Sequence, residues 1–459
     1  MMKQTFSYRS KFKLFLHILL PILATQLSLE AVPFFGTVMS GHSSPQDLVG
    51  VAVGSSFWVP VFVGLAGVLA SIIPIVAQHI GSGDRHKVAP AVRQGIYLSF
   101  LLSGAVILLG TLLVKTLLSA MNLEPLAHYA AFGYLKAIAW GVPPLFLFSI
   151  LRGFMDGIGQ TRWTMGITFL IVPLNGFLNW VFIHGNMGMM KLGGAGAGWA
   201  AALTYLFLAL IAWTILRIHS PFKEYQLFSD WPRPSLKAFK EQLSIGLPIG
   251  FAIFCEVSIF CVVTLMMSQY GTNTTAAHQS ALNFSGLLYM VPLSISMALT
   301  ILVGFEAGGK RFADARQYGF IGLALALVTG VILVIAILRW NEQVAAMYST
   351  DPAVQEMIIY FLVYVKFFFL VDAVAAPIQG ILRGYKDVRV TFYLAIFSYW
   401  GAGLPVGWLL ATKFGMGPYG YWAGLVSGLT VGAIGLSWRL WVITKQQNAE
   451  IAKAALRVR

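Results

Sequence analysis

Twelve apolar runs constrain this chain more than any motif in it, lying near residues 14–38, 48–79, 94–118, 128–150, 164–184, 195–216, 243–268, 277–303, 317–338, 356–381, 391–411 and 418–443. A hydrocarbon core of roughly 30 Å is crossed by about twenty residues of helix rising about 1.5 Å each. Every run is long enough. With 58% apolar residues, 10% charged residues and a mean hydropathy of +0.76, the chain is solvated mostly by lipid. The sequence therefore predicts an all-α integral membrane protein of twelve transmembrane helices. The first run follows a basic tail, MMKQTFSYRSKFK, and is too long and too rich in large residues for a cleavable signal, so it reads as a retained helix. The longest connection, residues 217 to 242, has room for a short amphipathic helix but not for a catalytic domain. All function must be built from membrane helices.

A net charge of +14 raises the question of a polyanionic partner, and the placement of the 31 Lys and Arg residues answers it. Twenty-five fall in the amino-terminal tail, the even-to-odd helix connections and the carboxy-terminal tail, four fall on the opposite side (Lys115, Lys191, Arg339, Lys413), and Lys136 and Lys366 lie in or near helices. This is the positive-inside pattern, with both termini in the cytoplasm and no nucleic acid required. Cys255 and Cys261 sit six residues apart on different faces of one helix, so no bridge is expected. GFEAGGKR at 304–311 approximates a phosphate loop, but it follows a membrane helix and ends in Arg where a magnesium ligand should stand.

One eight-residue phrase occurs twice: ILRGFMDG at 150–157 and ILRGYKDV at 381–388. Tyr-x-Lys precedes each copy (YLK at 134–136, YVK at 364–366), and LPI opens both the first and the seventh helix (20–22, 247–249). The chain reads as a tandem duplication of six-helix halves. It divides into an amino-terminal lobe over 1–217, a cytoplasmic linker over 218–242, a carboxy-terminal lobe over 243–445 and a basic tail over 446–459. Because six is even, the two pseudo-symmetric lobes are expected to be parallel repeats. The Arg-Gly-x-x-Asp segment reads as a helix stop, with its two charges in headgroups or water.

Of the 17 acids, three are expected at membrane depth: Glu30, Glu256 and Asp372. Asp372 lies 11 residues, about 16 Å along a helix, from Arg383, and Glu256 lies 16 residues, about 24 Å, from Lys240. A central carboxylate costs about 2.5 to 3.5 kcal/mol on insertion scales, so each needs a proton, a cation or water. Protonation, or pairing with Lys136 or Lys366, would satisfy that need without any function. Tyr364, Phe368 and Asp372 share one helical face, with Gln379 seven residues further, which offers a hydroxyl, a ring, an acid and an amide to one cavity. Asn175 with Asn179, and Gln279 with Asn283, form further i, i+4 polar pairs, for which interhelical hydrogen bonding is an equal alternative.

At these residues the chain resembles the multidrug and toxic compound extrusion transporters, in particular the NorM-like branch. The resemblance is carried in order by TVMSG at 37–41, LNGFLNWVFIHG at 174–185, FCEVSIF around Glu256, AAHQSALNFS at 276–285 and DAVAAPIQGILRGYKD at 372–387. It implies two lobes around a cleft, and multidrug efflux by antiport, with inward H+ or Na+ driving export of organic, often cationic, compounds. It places the cation site at Glu256 and Asp372, which would act as metal ligands only if the ion is sodium. Gln279 and Asn283, like Asn175 and Asn179, match polar motifs of the family. Two positions depart from the pattern: Gly36 stands where the family commonly has a first-helix acid, and Phe368 stands where relatives can present Tyr. Glu30 either replaces the missing acid or echoes the duplication, since it lies nine residues beyond Pro21 as Glu256 lies eight beyond Pro248.

Alternating access is the expected mechanism, with Pro33, Pro248, Pro292 and Pro377 breaking helices into hinged pieces. No cofactor is expected beyond the coupling ion, the partners are organic cations and membrane lipid, and a monomer is expected to suffice. The family implies a bacterial cytoplasmic membrane. A flippase for lipid-linked precursors could share the architecture, but its cavity would carry cations for pyrophosphate. An enzyme is disfavoured by the absence of a nucleophile or a spaced ligand set, and a channel by the duplication.

Overall fold

The computed structural model describes residues 2, 4–121 and 123–458, without the side chains of 450–458. Lys3, Arg459 and the side chains of the distal basic tail lie outside the described residues. Twelve helices are long and apolar enough to cross a membrane. In chain order they are α1 (Tyr8–Ser43), α2 (Pro45–Gly81), α3 (Arg85–Ser119), α4 (Pro125–Gly157), α5 (Thr161–His184), α6 (Gly194–Ile218), α7 (Leu236–Tyr270), α8 (Thr272–Gly308), α9 (Phe312–Tyr348), α10 (Pro352–Gly384), α11 (Arg389–Thr412) and α12 (Pro418–Ala449). Each apolar run lies inside its helix.

Capping explains why the helices outrun the apolar stretches. The Ser44 hydroxyl accepts the Asp47 backbone N–H at 3.0 Å with Pro45 in the first turn of α2, and Asp351 does the same for Ala353 at the start of α10. α5 ends on Gly185 in the left-handed conformation (φ 76°). α1 begins at Tyr8, so part of the expected basic tail is helical. Lys11 is fully buried there, paired with Asp314 and Gln317 of α9.

The chain forms two compact units, one containing Leu20–Gly250 and the other Gln4–Leu19 with Phe251–Arg459. The connection over 218–242 is docked within the first unit. The buried Arg93 of α3 donates to the backbone oxygens of Leu227 (2.8 Å), Asp230 (2.9 Å) and Gln226 (2.5 Å), while Gln94 bonds Arg233 and Ser235. One turn of helix, Ser220–Lys223, buries Phe222 in the same segment.

Two further expectations need correction. Pro33, Pro248, Pro292 and Pro377 all sit inside continuous helices. Each removes one backbone bond, a loss that packed membrane helices tolerate. The irregularities lie elsewhere: at Ala70–Ser71 in α2, at Trp340 in α9 (φ −124°) and in a π-helical stretch, Ile396–Gly403, of α11. The Arg-Gly-x-x-Asp segment stops a helix only in its second copy. In the first, α4 continues to Gly157, and Gly153 is a packing residue whose Cβ would strike Ile72. Its Asp156 is 1% exposed, not hydrated. GFEAGGKR is the end of α8, where buried Glu306 pairs with Arg311 at 2.5 Å.

Candidate functional site

The two membrane-depth carboxylates of the second unit come from two helices. Glu256 is half-buried on α7, and Asp372 on α10 is 3% exposed. α8 runs close to α10 because Gly380 rests on the backbone of Ser296, where any Cβ would strike the Ser296 carbonyl. Two turns before Ser296, the Tyr289 hydroxyl donates to Glu256 Oε1 at 3.4 Å. The π-helical stretch of α11 carries buried Tyr399, which with Tyr289 lies within electrostatic reach of both acids. Such π turns recur at functional sites.

Glu256 is also within electrostatic reach of Asp372 and of the Arg383 guanidinium. Asp372 Oδ2 is buried and has no hydrogen-bond partner among the described residues. Two carboxylates in a low-dielectric pocket repel, and a cation or proton relieves that repulsion. Lys136 and Lys366 do not supply it: neither forms an ion pair among the described residues, and Lys136 is exposed. No group of three His, Cys, Asp or Glu side chains suited to a metal occurs among the described residues. The hydroxyl that reaches Glu256 is that of Tyr289, which comes from α8 and not from the Phe368 position.

The remaining predicted residues divide by burial. Phe368 (6% exposed) belongs to the apolar core, edge-on to Phe260 at 6.0 Å, and Tyr364 stacks on Tyr419 at 6.3 Å. Phe368 packs in the core of the lobe and Tyr364 packs against it. Gln379 accepts from Arg383 at 3.3 Å. Gln279 and Asn283 are exposed and line a cavity of about 560 Å³ with Ser280, Leu282 and Tyr348, whose hydroxyl donates to Asn283 Oδ1 at 2.8 Å.

In the first unit the asparagines turn inward. Asn175 Nδ2 donates to Thr204 Oγ1 of α6 at 2.9 Å, and Asn179 Nδ2 donates to Asn175 O and Oδ1, both at 2.9 Å. Asn175 thus forms the interhelical bond that the sequence left as an alternative. Asn179 Oδ1 is buried without a partner among the described residues, and a Cβ built on Gly36 would lie 3.8 Å from it. Glu30 is exposed and makes no hydrogen bond or ion pair with this cluster among the described residues.

Sequence reasoning missed Arg383, Tyr289, Tyr399 and Thr204. For Arg383 a signal existed, since 11 residues is close to three full turns and places Arg383 on the face of Asp372. The tyrosines and Thr204 reach the site through tertiary packing, which no local pattern announces.

The duplication is also visible to family comparison. The MatE sequence model matches residues 21–181 and again residues 248–409. The chain belongs to the MatE family. It is 50% identical over 447 residues to the probable multidrug resistance protein NorM of Bacillus subtilis (strain 168), covering 97% of this chain and 99% of that one. It is 49% identical over 454 residues to the protein of the same name from Halalkalibacterium halodurans, covering 99% and 98%. Two solved structures share the fold. The eukaryotic MATE transporter AtDTX14 aligns with a TM-score of 0.85 at 20% identity over 98% of this chain and 100% of its own. An outward-facing multidrug resistance MATE family transporter of the MOP superfamily aligns at 0.87 and 18% identity over 98% and 100%. As a MatE member, the chain is a multi-pass membrane transporter and not an enzyme.

Proposed function

We propose that this MatE protein exports organic, often cationic, compounds in exchange for inward H+ or Na+, by alternating access, with Glu256 and Asp372 as the pair that responds to the coupling ion. One observation carries the reading: a 3% exposed carboxylate, Asp372, has one oxygen without a hydrogen-bond partner among the described residues and faces a second acid. A buried polar atom is normally paired, and a buried charge needs a counter-charge, so the pair suits a group that receives a transient cation. An ion that neutralises the pair lowers its attraction for a cationic cargo, and at equilibrium the cargo weakens ion binding by the same factor.

The names of the NorM relatives support multidrug cargo, and the exposed Gln279–Asn283 cavity offers polar contacts for it. The basic connections support a bacterial cytoplasmic membrane with both termini inside. No cofactor is invoked, and the monomer is taken as the working unit. The test is transport of ethidium in proteoliposomes under a sodium gradient and a pH gradient imposed separately. One gradient is expected to drive efflux from the parent, and Asp372→Asn and Glu256→Gln are expected to lose that drive while remaining folded. Full gradient-driven efflux by Asp372→Asn would remove the pair from the mechanism. Failure of either gradient to move any organic cation, with scrambling of a labelled lipid instead, would replace antiport by a flippase.

A further inference from the structure

Among the described residues, a π-helical stretch occurs only in the second half, at Ile396–Gly403 of α11. Its wide turn is visible at its end, where the Leu404 N–H reaches the Tyr399 carbonyl, five residues back. Pro405 follows, with no N–H to donate and a ring that crowds the carbonyl four residues before it. α5, the fifth helix of the first half as α11 is of the second, keeps Pro173 inside an unbroken α-helix. A turn closed over five residues holds one residue more than an α turn, so the side chains it carries face new directions.

The stretch is seated on α12. A Cβ on Gly428 would come within 2.6 Å of the Ser398 carbonyl, and one on Gly424 within 2.5 Å of the Gly403 carbonyl, so backbone lies on backbone at both ends. Between those ends Trp400 turns to α7, where its Nε1 donates to the Cys255 carbonyl at 3.3 Å. The same carbonyl takes the Ser258 hydroxyl at 3.1 Å. It belongs to the peptide that leads into Glu256. A carbonyl drawn toward donors outside its helical bond tilts off the helix axis, which bends the helix and turns the residue after it. Glu256 is thus held twice, by α11 at its peptide and by the Tyr289 hydroxyl of α8 at Oε1, 3.4 Å away.

We infer that Trp400 is a positioning residue for Glu256: through the Cys255 carbonyl it fixes the turn of α7 that presents the acid, and so sets the acid's affinity for the coupling ion. The inference rests on the ion-responsive reading of the Glu256–Asp372 pair. A group that positions another has to be fixed itself, and the glycine seat on α12 supplies that. An indole nitrogen only donates and a carbonyl only accepts, so the bond has one direction and is independent of the protonation of either acid. Without it, Glu256 would have to be ordered when the ion arrives, which weakens binding.

The experiment measures, in proteoliposomes, the concentration of the driving cation that gives half-maximal ethidium efflux, beside the ethidium concentration for half-maximal transport. The Trp400 ring is 37% exposed, so Trp400→Phe removes the donor and little packing. It is expected to raise the half-maximal cation concentration about two- to tenfold, the range of one hydrogen bond, with the ethidium value within about twofold of the parent. Exchange of Trp400 for benzothienylalanine, which keeps the ring shape and puts sulfur where the N–H stands, is expected to shift the cation value in the same direction. Ser258→Ala takes from the same carbonyl a donor that belongs to α7 itself, leaves the tie to α11 intact, and is expected to stay within about twofold of the parent.

An unchanged cation value in both Trp400 variants would overturn the inference. So would a shift with Phe but not with benzothienylalanine, which would assign the effect to ring packing, or an equal shift with Ser258→Ala, which would assign it to the carbonyl alone. Cation and ethidium values rising together would mean a general distortion of the lobe, and the positioning role would fall. Should Trp400→Phe not fold, the isosteric exchange decides. Glu256→Gln run beside them separates the two readings. If it keeps its drive, the ion-responsive pair has failed; if it loses the drive while the Trp400 variants leave the cation value unmoved, only the positioning role has failed.

Discussion

The two lobes are copies of one plan with opposite polar chemistry. The first centres on neutral groups, Asn175, Asn179 and Thr204, with Gly36 beside them; the second centres on Glu256 and Asp372, with the Tyr289 hydroxyl on Glu256. Amides and hydroxyls donate and accept among themselves, so the first cluster is nearly complete without any ion. Carboxylates only accept when ionised, so the second is incomplete by its nature. The two MatE matches carry the same scaffold, and the carboxylates at membrane depth that stand buried or half-buried lie in the second.

The sharpest way to break that contrast is to give the first lobe an acid. A side chain at position 36 would meet Ala197 at 3.6 Å and Asn179 Oδ1 at 3.8 Å, ordinary contact distances, so Gly36→Asp fits without displacing backbone. The new carboxylate would cost about 2.5 to 3.5 kcal/mol if left unpaired, a cost that the Asn179 amide, turned to donate, or a bound cation would offset. Gly36→Asp is expected to steepen the dependence of efflux on the driving ion from about first order toward about second order, as a second ion-responsive group joins the first. An unchanged order, with folded protein, would mean that lobe chemistry is not what confines coupling to the second lobe.

Glu30 gives a milder test. It stands nearly where Glu256 stands when both are counted from the shared Leu-Pro-Ile, yet it is exposed and apart from the amide cluster, whereas Glu256 is half-buried and bonded by Tyr289. An exposed carboxylate at membrane depth can attract a cationic cargo without coupling to the drive. Glu30→Gln is expected to raise the ethidium concentration for half-maximal transport by about two- to fivefold, worth about 1 kcal/mol or less, with the response to the driving ion unchanged. Loss of the gradient response would make Glu30 the first-lobe acid and erase the asymmetry.

What the sequence made legible follows the range of the forces involved. The twelve spans were readable because length and apolar content are local and lipid enforces them. Asp372 and Glu256 were readable because a carboxylate far from both helix ends is conspicuous in an apolar run. The irregular backbone was not: proline chemistry pointed to Pro248 and Pro377, which lie inside continuous helices, and the irregularities fall at Ala70–Ser71 and in Ile396–Gly403. The repeated Arg-Gly-x-x-Asp phrase was legible as a repeat and misleading as a device. Its two copies differ in whether the helix continues and in what reaches them from other helices, Gln26 and Thr164 in one and Arg439 in the other. Phe368 and Tyr364 illustrate the same limit, since helical phase put them beside Asp372 while the core claimed them.

The smallest effect is expected at a residue that looks ionisable and is not part of the contrast. His278, adjacent in sequence to Gln279 and fully buried, lies between two partners: Trp422 Nε1 donates to its Nδ1 at 3.0 Å, and its Nε2 is 3.0 Å from Thr264 Oγ1. An indole nitrogen only donates, so Nδ1 must accept and the ring proton sits on Nε2. Nε2 then donates to Thr264, whose own proton goes to the Phe260 carbonyl at 2.9 Å. Each ring nitrogen is used once, and the ring needs no second proton. His278→Phe keeps the ring shape, leaves the Trp422 N–H unpaired in the core and is expected to cost about 1 to 3 kcal/mol of stability. Thermal denaturation in detergent would register this as a lower midpoint, with ion dependence and cargo affinity in proteoliposomes unchanged. A shift in the half-maximal driving-ion concentration would add His278 to the ion-responsive groups proposed for this lobe.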